Sequence, residues 1–248
     1  MKLSREAFTN FAAQLMTICL SAPNSELRLA MPTINEKLAV TLWNYKGGVG
    51  KSTIALILAE IAAQNGLRVM AVDLDKQQNL AGMFSLAIDP FPSITVRSSM
   101  YDDFADENFD FFILDTHPAQ NDTVLHALSF ADIVLVPILC DYPSLMNLAS
   151  VFDFVYAADV RKEQAALVKN YMANLQVISE IENIIDNHHF PVAGRLSRCN
   201  LLLRNLASGF YWDKSLRENQ RKPFLELYAG LWNACRKMNS GIFHHIWS

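Results

Sequence analysis

Short apolar runs alternate with longer stretches of helical periodicity along most of the chain. Such runs predict buried strands, because a strand covered on both faces of a parallel sheet has few polar positions. The runs lie at 38–44, 68–73, 109–115, 131–138, 165–170 and 190–193, and the helical stretches at 53–65, 123–130, 144–158 and 175–187. Alternating strands and helices predict right-handed βαβ crossovers and therefore an α/β fold, a doubly wound, mainly parallel sheet flanked by helices.

The first 36 residues stand apart from this pattern. Apolar residues recur at helical spacing between Phe8 and Cys19, which predicts an amphipathic helix. Polar residues interrupt the stretch, so it does not have the unbroken apolar region of a signal peptide. We therefore divide the chain into an N-terminal helix with its connector, residues 1–36, and a main domain, residues 37–248.

The composition favours a folded protein with reduced thiols. The chain is 51% hydrophobic and 19% charged, which is enough apolar sequence for a large core. Four cysteines lie far apart without a Cys-x-x-Cys pair, and this favours a cytoplasmic protein over a disulfide or zinc scaffold. No run reaches the roughly 20 apolar residues that are needed to span a bilayer.

Positive charge is concentrated in the last quarter of the chain. Residues 194–248 contain nine Lys or Arg against three Asp or Glu, whereas the whole chain has a net charge of −4. This asymmetry indicates an acidic partner, either nucleic acid or an anionic membrane, with a solvated basic helix face as the alternative. The candidate contacts are Arg204, Lys214, Arg217, Arg221 and Lys222.

A glycine-rich loop follows the first predicted strand, in the segment NYKGGVGKST at 44–53. Its glycines allow a tight turn that points backbone N–H groups at phosphate oxygens, and the following helix adds its positive end. Lys51 is predicted to neutralise the β and γ phosphates, and the Ser52 hydroxyl to bind Mg²⁺. The predicted nucleotide-binding residues of this loop are Lys46, Gly47, Gly48, Val49, Gly50, Lys51, Ser52 and Thr53.

Three aspartates end the strands that follow. Asp115 is placed to hold Mg²⁺ through a water molecule, because Mg²⁺ keeps several of its waters in proteins. Asp73 and Asp75 end the second predicted strand, and one of them is placed to orient or deprotonate a water that attacks the terminal phosphate. Asp73 is assigned to the metal, with capping of the next turn as the alternative.

Four motifs in order, KGGVGKST, VDLDKQQN, FDFFILDTHPA and VLVPILCDY, resemble the ParA/MinD group of phosphate-loop ATPases with a deviant Walker A motif. The ordinary loop has a glycine where Tyr45 stands here. The resemblance implies that Lys46 reaches across a dimer interface to the phosphates of the other subunit. It also implies a homodimer with ATP sandwiched between the subunits, ATP and Mg²⁺ as cofactors, and Asp75 as the catalytic aspartate.

The resemblance extends to adenine recognition. It implies that Asn170, at the end of a strand, contacts adenine, and that Pro137 and the residues up to Tyr142 form part of the adenine wall. Two positions depart from the family pattern, since Lys76 and His117 stand where prolines are usual. Neither change removes a phosphate or metal ligand.

The resemblance implies a ParA-like positioning ATPase that binds DNA without sequence preference on the nucleoid. A ParB-like or adaptor protein would stimulate its hydrolysis and so partition or position a cargo. The alternative is a MinD-like membrane-cycling regulator, in which tail residues at 242–247 insert into the membrane. Asn239, Ser240 and Gly241 break the helix before that tail, which favours packing of Trp247 on the domain. An iron–sulfur reductase is a third class, but only Cys140 lies near the predicted nucleotide site.

Overall fold

Seven parallel strands form the sheet within the described part of the chain. They are β1 (Leu38–Leu42), β2 (Val69–Asp73), β3 (Ile94–Arg97), β4 (Phe111–Asp115), β5 (Ile133–Leu139), β6 (Ala165–Tyr171) and β7 (Val192–Ser197). Their order is β3-β2-β4-β1-β5-β6-β7, and each neighbouring pair is parallel. The doubly wound parallel sheet predicted from the sequence is confirmed.

The computed structural model describes residues 37–87, 91–99, 108–139, 141–171, 183, 185, 190–197, 205, 216–241 and 247. The predicted N-terminal helix, nearly all of the helix predicted at 175–187, and Cys140 lie outside these residues. Among the described residues, no helix combines the length and the apolar content that crossing a bilayer requires.

Six α-helices are described around the sheet. They are α1 (Lys51–Gln64), α2 (Asn79–Ser85), α3 (Asp122–Phe130), α4 (Tyr142–Met146), α5 (Leu148–Tyr156) and α6 (Glu218–Asn239). Helices α1 and α6 pack on one face of the sheet, whereas α3 and α5 pack on the other. Both faces are covered, which is why the central strands are apolar at nearly every position.

Three elements differ from the sequence prediction. Strand β3 was not predicted, because it has only four residues and lies at the edge of the sheet with its side chains partly exposed. The single helix predicted at 144–158 is divided into α4 and α5 at Asn147. The basic region, for which the apolar pattern predicted no long helix, forms from Glu218 onwards the 22-residue helix α6, which accommodates Pro223 in its second turn.

The sheet topology defines where a ligand can bind. Strands β1 and β4 are neighbours, with Leu42 opposite Asp115 at their carboxyl ends. The chain leaves β1 towards β2 on one side and leaves β4 towards β5 on the other side. A crevice opens at such a switch point beyond the carboxyl ends of the two strands. The glycine-rich loop begins at this edge.

Candidate nucleotide-binding site

The glycine-rich loop joins β1 to α1 through two residues in the left-handed region of backbone conformation. Gly48 has φ 73° and Gly50 has φ 94°, values that L side chains adopt only with strain. Gly50 is also crowded, since a Cβ added there would lie 2.6 Å from Asn170 Nδ2. Gly47 has no such constraint, because nothing lies within 4 Å of an added Cβ. The loop shape therefore depends on Gly50 more than on Gly47.

Two side chains at the end of β1 fix the base of the loop. Trp43 is fully buried, and its indole N–H donates to the carbonyl of Ala119 at 3.1 Å. Asn44 donates from Nδ2 to the carbonyl of Pro137 at 2.9 Å, and its Oδ1 accepts the backbone N–H of Lys46 at 2.9 Å. The loop is thus tied to the segment after β4 and to β5. Neither role was predicted from the sequence.

The ammonium group of Lys51 lies inside the loop. The residue is 7% exposed, and Nζ donates to the backbone carbonyls of Asn44 at 3.2 Å and Lys46 at 3.5 Å. Burial lowers the pKa of Lys51, while the negative charges of Asp115 and Asp75 oppose that effect. A buried cation bound only to neutral carbonyls is well suited to bind an anion.

The carboxylate of Asp115 lies beneath the same loop. Asp115 is 1% exposed, and burial raises its pKa to about 7. The neighbouring charge of Asp73 raises that pKa further, whereas Ser52 and Lys51 favour the charged form. Neither carboxylate oxygen makes a well-formed hydrogen bond, although the Ser52 side chain lies beside the group. Burial without a full set of partners is costly for a carboxylate.

These partnerless oxygens fit Mg²⁺. The ion prefers oxygen ligands and keeps several waters, so a carboxylate of this kind can hold it through a water molecule. Across the described ranges, no three His, Cys, Asp or Glu side chains form a cluster that could bind a metal by themselves. A cation here would consequently depend on Ser52, on Asp115 and on oxygens of a bound phosphate.

The two aspartates at the end of β2 differ in their contacts. Asp73 is 1% exposed, and its two oxygens accept the backbone N–H groups of Asp75 at 3.0 Å and Ala81 at 2.9 Å. These contacts match the capping role that was the alternative to metal binding for Asp73. Asp75 is half-buried, and its Oδ1 accepts the N–H of Gln77 at 2.9 Å.

Lys46 lies on the outer side of the loop and makes an ion pair within its own chain. Its Nζ is 2.7 Å from Asp141 Oδ2 and 3.0 Å from Ser144 Oγ. Sequence analysis missed both partners. The segment DYPS at 141–144 nevertheless carries a signal, because an aspartate shortly before a proline and a helix is typical of a helix N-cap.

The two residues predicted to contact adenine, Asn170 and Pro137, are bonded to the loop and its base, and their role towards adenine stays a prediction. Asn170 ends near the loop, but its Nδ2 donates to the carbonyl of Val49 at 3.0 Å, which gives it a role in holding the loop. Pro137 is buried within β5, which continues to Leu139, one residue beyond the apolar run predicted at 131–138. The pairing of β5 with β1 ends at Leu135. Pro137 has no backbone N–H, but on that side of β5 no hydrogen bond between strands requires one.

The structure describes three of the five basic candidates, while Arg204 and Lys214 lie outside the described residues. Arg217 is exposed at the start of α6. Lys222 is exposed and lies 3.8 Å from Glu226 Oε1. Arg221 is half-buried, with a buried Nε atom that has no hydrogen-bond partner. Two of the described candidates therefore face solvent.

His117 and Trp247 have structural contacts. The Nδ1 atom of His117 accepts the N–H of Ala119 at 3.0 Å and so shapes the turn after β4. The indole N–H of Trp247 donates to the carbonyl of Glu163 at 2.8 Å, and the side chain packs against the main core. The expected packing of Trp247 on the domain is confirmed.

The sequence around the loop is similar to those of known nucleotide-binding proteins. The profile of the CobQ/CobB/MinD/ParA nucleotide binding domain matches residues 40–209. The chromosome-partitioning ATPase Soj of Thermus thermophilus is 31% identical over 146 residues, which cover 45% of this chain and 59% of Soj. The chain therefore spans less than two thirds of the length of that relative.

Solved structures share the fold at low sequence identity. The MinD cell division protein of Aquifex aeolicus aligns with a TM-score of 0.65 and 17% identity, over 79% of this chain and 97% of MinD. A variant of McdA from Cyanothece in complex with ATP aligns with a TM-score of 0.64 and 14% identity, over 84% of this chain and 97% of McdA.

Gly50→Ala should lower the free energy of unfolding by about 1–3 kcal/mol, because the new side chain combines a strained φ with a contact at Asn170. Gly47→Ala is the matched control and should change stability by less than about 1 kcal/mol. Urea denaturation of the nucleotide-free protein measures both. Equal losses in the two variants would contradict the assignment of the strain to Gly50.

Asp115→Asn should stabilise the nucleotide-free protein increasingly as the pH rises from 5 to 8. Folding raises the pKa of Asp115 from 3.8 to about 7, so the unfolded chain loses this proton first. The wild-type protein therefore loses about 2–3 kcal/mol of stability between pH 5 and pH 8, and the asparagine variant does not. Urea denaturation at the two pH values, without Mg²⁺, measures the difference.

Asp110→Asn is a control of opposite sign. A hydrogen bond from Arg68 holds the pKa of Asp110 below its usual value despite partial burial, so this carboxylate stabilises the fold above its unfolded pKa. Its replacement should destabilise the protein at neutral pH and matter less as the pH falls towards 3. If Asp115→Asn changes the free energy of unfolding equally at pH 5 and pH 8, the pKa of Asp115 is not raised by burial.

Proposed function

The chain belongs to the CobQ/CobB/MinD/ParA nucleotide-binding family, and from that premise we propose that it is a ParA-like, Mg²⁺-dependent ATPase that dimerises on ATP. We place it in the cytoplasm, where its dimer binds nucleoid DNA without sequence preference. An adaptor protein of ParB type stimulates hydrolysis, which releases the dimer and so positions a plasmid, a chromosome region or a protein assembly.

One observation carries the ATPase proposal, namely the two opposite charges buried under the loop. Lys51 has only backbone carbonyls as partners, and Asp115 has no well-formed hydrogen bond. A nucleotide triphosphate with its divalent cation supplies the missing partner to each of them. Mg²⁺ neutralises charge on the phosphate oxygens when it is bound. Ser52 and Asp115 are the residues that would hold it, Asp115 through water.

The remaining loop residues bind and orient the substrate. Backbone N–H groups of the loop, together with the start of α1, face the phosphates and favour negative charge there. Asp75 orients the attacking water, and its half-buried position leaves one carboxylate oxygen available for this purpose. Lys46 binds the phosphates of the ATP molecule that is bound to the second subunit, so each copy completes the nucleotide site of the other.

The DNA-binding surface is proposed to include the start of α6. Exposed Arg217 and Lys222 supply positive charge there, and phosphate contacts of this kind bind DNA irrespective of its sequence. The alternative, a MinD-like membrane-cycling regulator, requires apolar tail residues to leave the domain. Trp247 instead packs against the core and donates a hydrogen bond to Glu163, which favours DNA over membrane.

Lys51→Ala should weaken ATP binding by about 100-fold, because it removes a charged donor from the phosphates.

Lys46→Ala should retain most of the binding and lose the ATP-dependent dimer, whereas Asp75→Ala should accumulate that dimer. Calorimetry with a non-hydrolysable analogue measures binding, and light scattering after size exclusion measures the dimer. Lys76→Ala, next to Asp75 but exposed, is the control. A Lys46→Ala protein that dimerises normally would disprove the shared site.

Charge reversal at Arg217 and Lys222 should weaken DNA retention in the presence of ATP. The slope of log K against log salt should decrease by about 1 for each lost phosphate contact. DNA co-sedimentation and liposome flotation, each with and without ATP, compare the two surfaces. Reversal of exposed Arg161 and Lys162 changes the net charge equally and serves as the control. Unchanged DNA retention, or ATP-dependent flotation, would instead support the membrane alternative.

A further inference from the structure

Lys46 is held by its own chain at its backbone and at its ammonium group. Its backbone N–H donates to Asn44 Oδ1 at 2.9 Å. Its ammonium donates to Asp141 Oδ2 at 2.7 Å and to Ser144 Oγ at 3.0 Å, so two of its three N–H donors are used. The Lys46 side chain is 29% exposed and that of Asp141 is 37% exposed, so the pair lies at the surface of the site.

Asp141 is fixed in place for this contact. It is the N-cap of α4, and its Oδ1 accepts the N–H of Ser144 at 2.8 Å while its Oδ2 faces Lys46. Partial burial raises the pKa of Asp141, but the hydrogen bonds from Lys46 and Ser144 outweigh burial, and the pKa is lowered overall. The group therefore stays ionised at neutral pH and keeps its charge opposite the lysine.

We propose that Asp141 and Ser144 form a resting-state holder for Lys46, which the lysine must leave before it can bind a phosphate of a second copy of this chain. The inference rests on the proposed function, because it presumes that Lys46 acts in the other subunit. An ammonium paired with a carboxylate has little net charge to offer a phosphate, since the carboxylate repels the same group. Asp141 is thus a positioning residue that opposes pairing of the subunits.

The ion pair between Lys46 and Asp141 is strong enough to oppose dimerisation without ATP, but too weak to prevent it when ATP is bound. Ion pairs with this exposure usually change an equilibrium by about two- to fivefold. A triphosphate has several negative charges in a site from which the second subunit excludes water, where each attraction is stronger. The phosphates should therefore displace Asp141 once ATP is bound, while the holder keeps nucleotide-free subunits apart.

Asp141→Asn tests the holder with little change to the fold. Asparagine caps helices as well as aspartate does, so α4 is retained, while the charge opposite Lys46 is removed. The ATP concentration at the midpoint of dimerisation should fall about two- to fivefold, and Ser144→Ala should produce a smaller fall. Asp122→Asn, an exposed aspartate in the first turn of α3, removes the same charge elsewhere and should leave the midpoint unchanged.

A second measurement does not depend on dimerisation. The acylation rate of Lys46 in the nucleotide-free protein, followed by mass spectrometry, should rise severalfold in Asp141→Asn. The rate at exposed Lys162 should stay constant. An unchanged Lys46 rate, or a raised rate with an unchanged dimerisation midpoint, overturns the holder. A midpoint that rises in Asp141→Asn also overturns it, because Asp141 would then promote pairing. If the unchanged protein forms no dimer with ATP, the proposed function itself fails, and the inference fails with it.

Discussion

The pair of buried charges beneath the glycine-rich loop is the constraint on which the site depends. Asp115 lies at the end of β4 and Lys51 at the start of α1, each 7% exposed or less. Burial opposes the charged form of both groups, raising one pKa and lowering the other. Under the proposed function, a phosphate with its cation would relieve both penalties together.

The central part of the fold could be predicted because its sequence pattern is local. Strands β1, β2, β4 and β5 are continuous apolar runs, since helices cover both of their faces. Strand β3 lies at the edge of the sheet formed by the described strands, and its partly exposed side chains give a weak pattern. The length of α6 was missed because Pro223 reads as a break, whereas the apolar residues beyond it, from Phe224 to Cys235, anchor the helix on the core.

The parts of the site formed by residues close together in the sequence could be predicted. The parts formed by contacts between distant residues could not. The order of Gly50, Lys51 and Ser52 after a strand is a local pattern, and the structure brings Lys51 and Ser52 to Asp115 as the topology requires. The contacts that shape the loop are long-range. Asn170 reaches Val49 across 121 positions, and Asp141 reaches Lys46 across 95. Only the packing of β5 and β6 beside β1 creates them.

The two lysines of the loop consequently occupy different electrostatic environments. Lys51 is buried and bound to carbonyls that carry no net charge, so an incoming phosphate replaces its partners without separating an ion pair. Lys46 is partly exposed and bound to a carboxylate, so any phosphate has to compete with a negative charge already in place. The first arrangement favours a resident cation that binds whenever nucleotide is present. The second favours a cation that is released only when the attraction elsewhere is greater, as the proposed role of Lys46 in a second subunit requires.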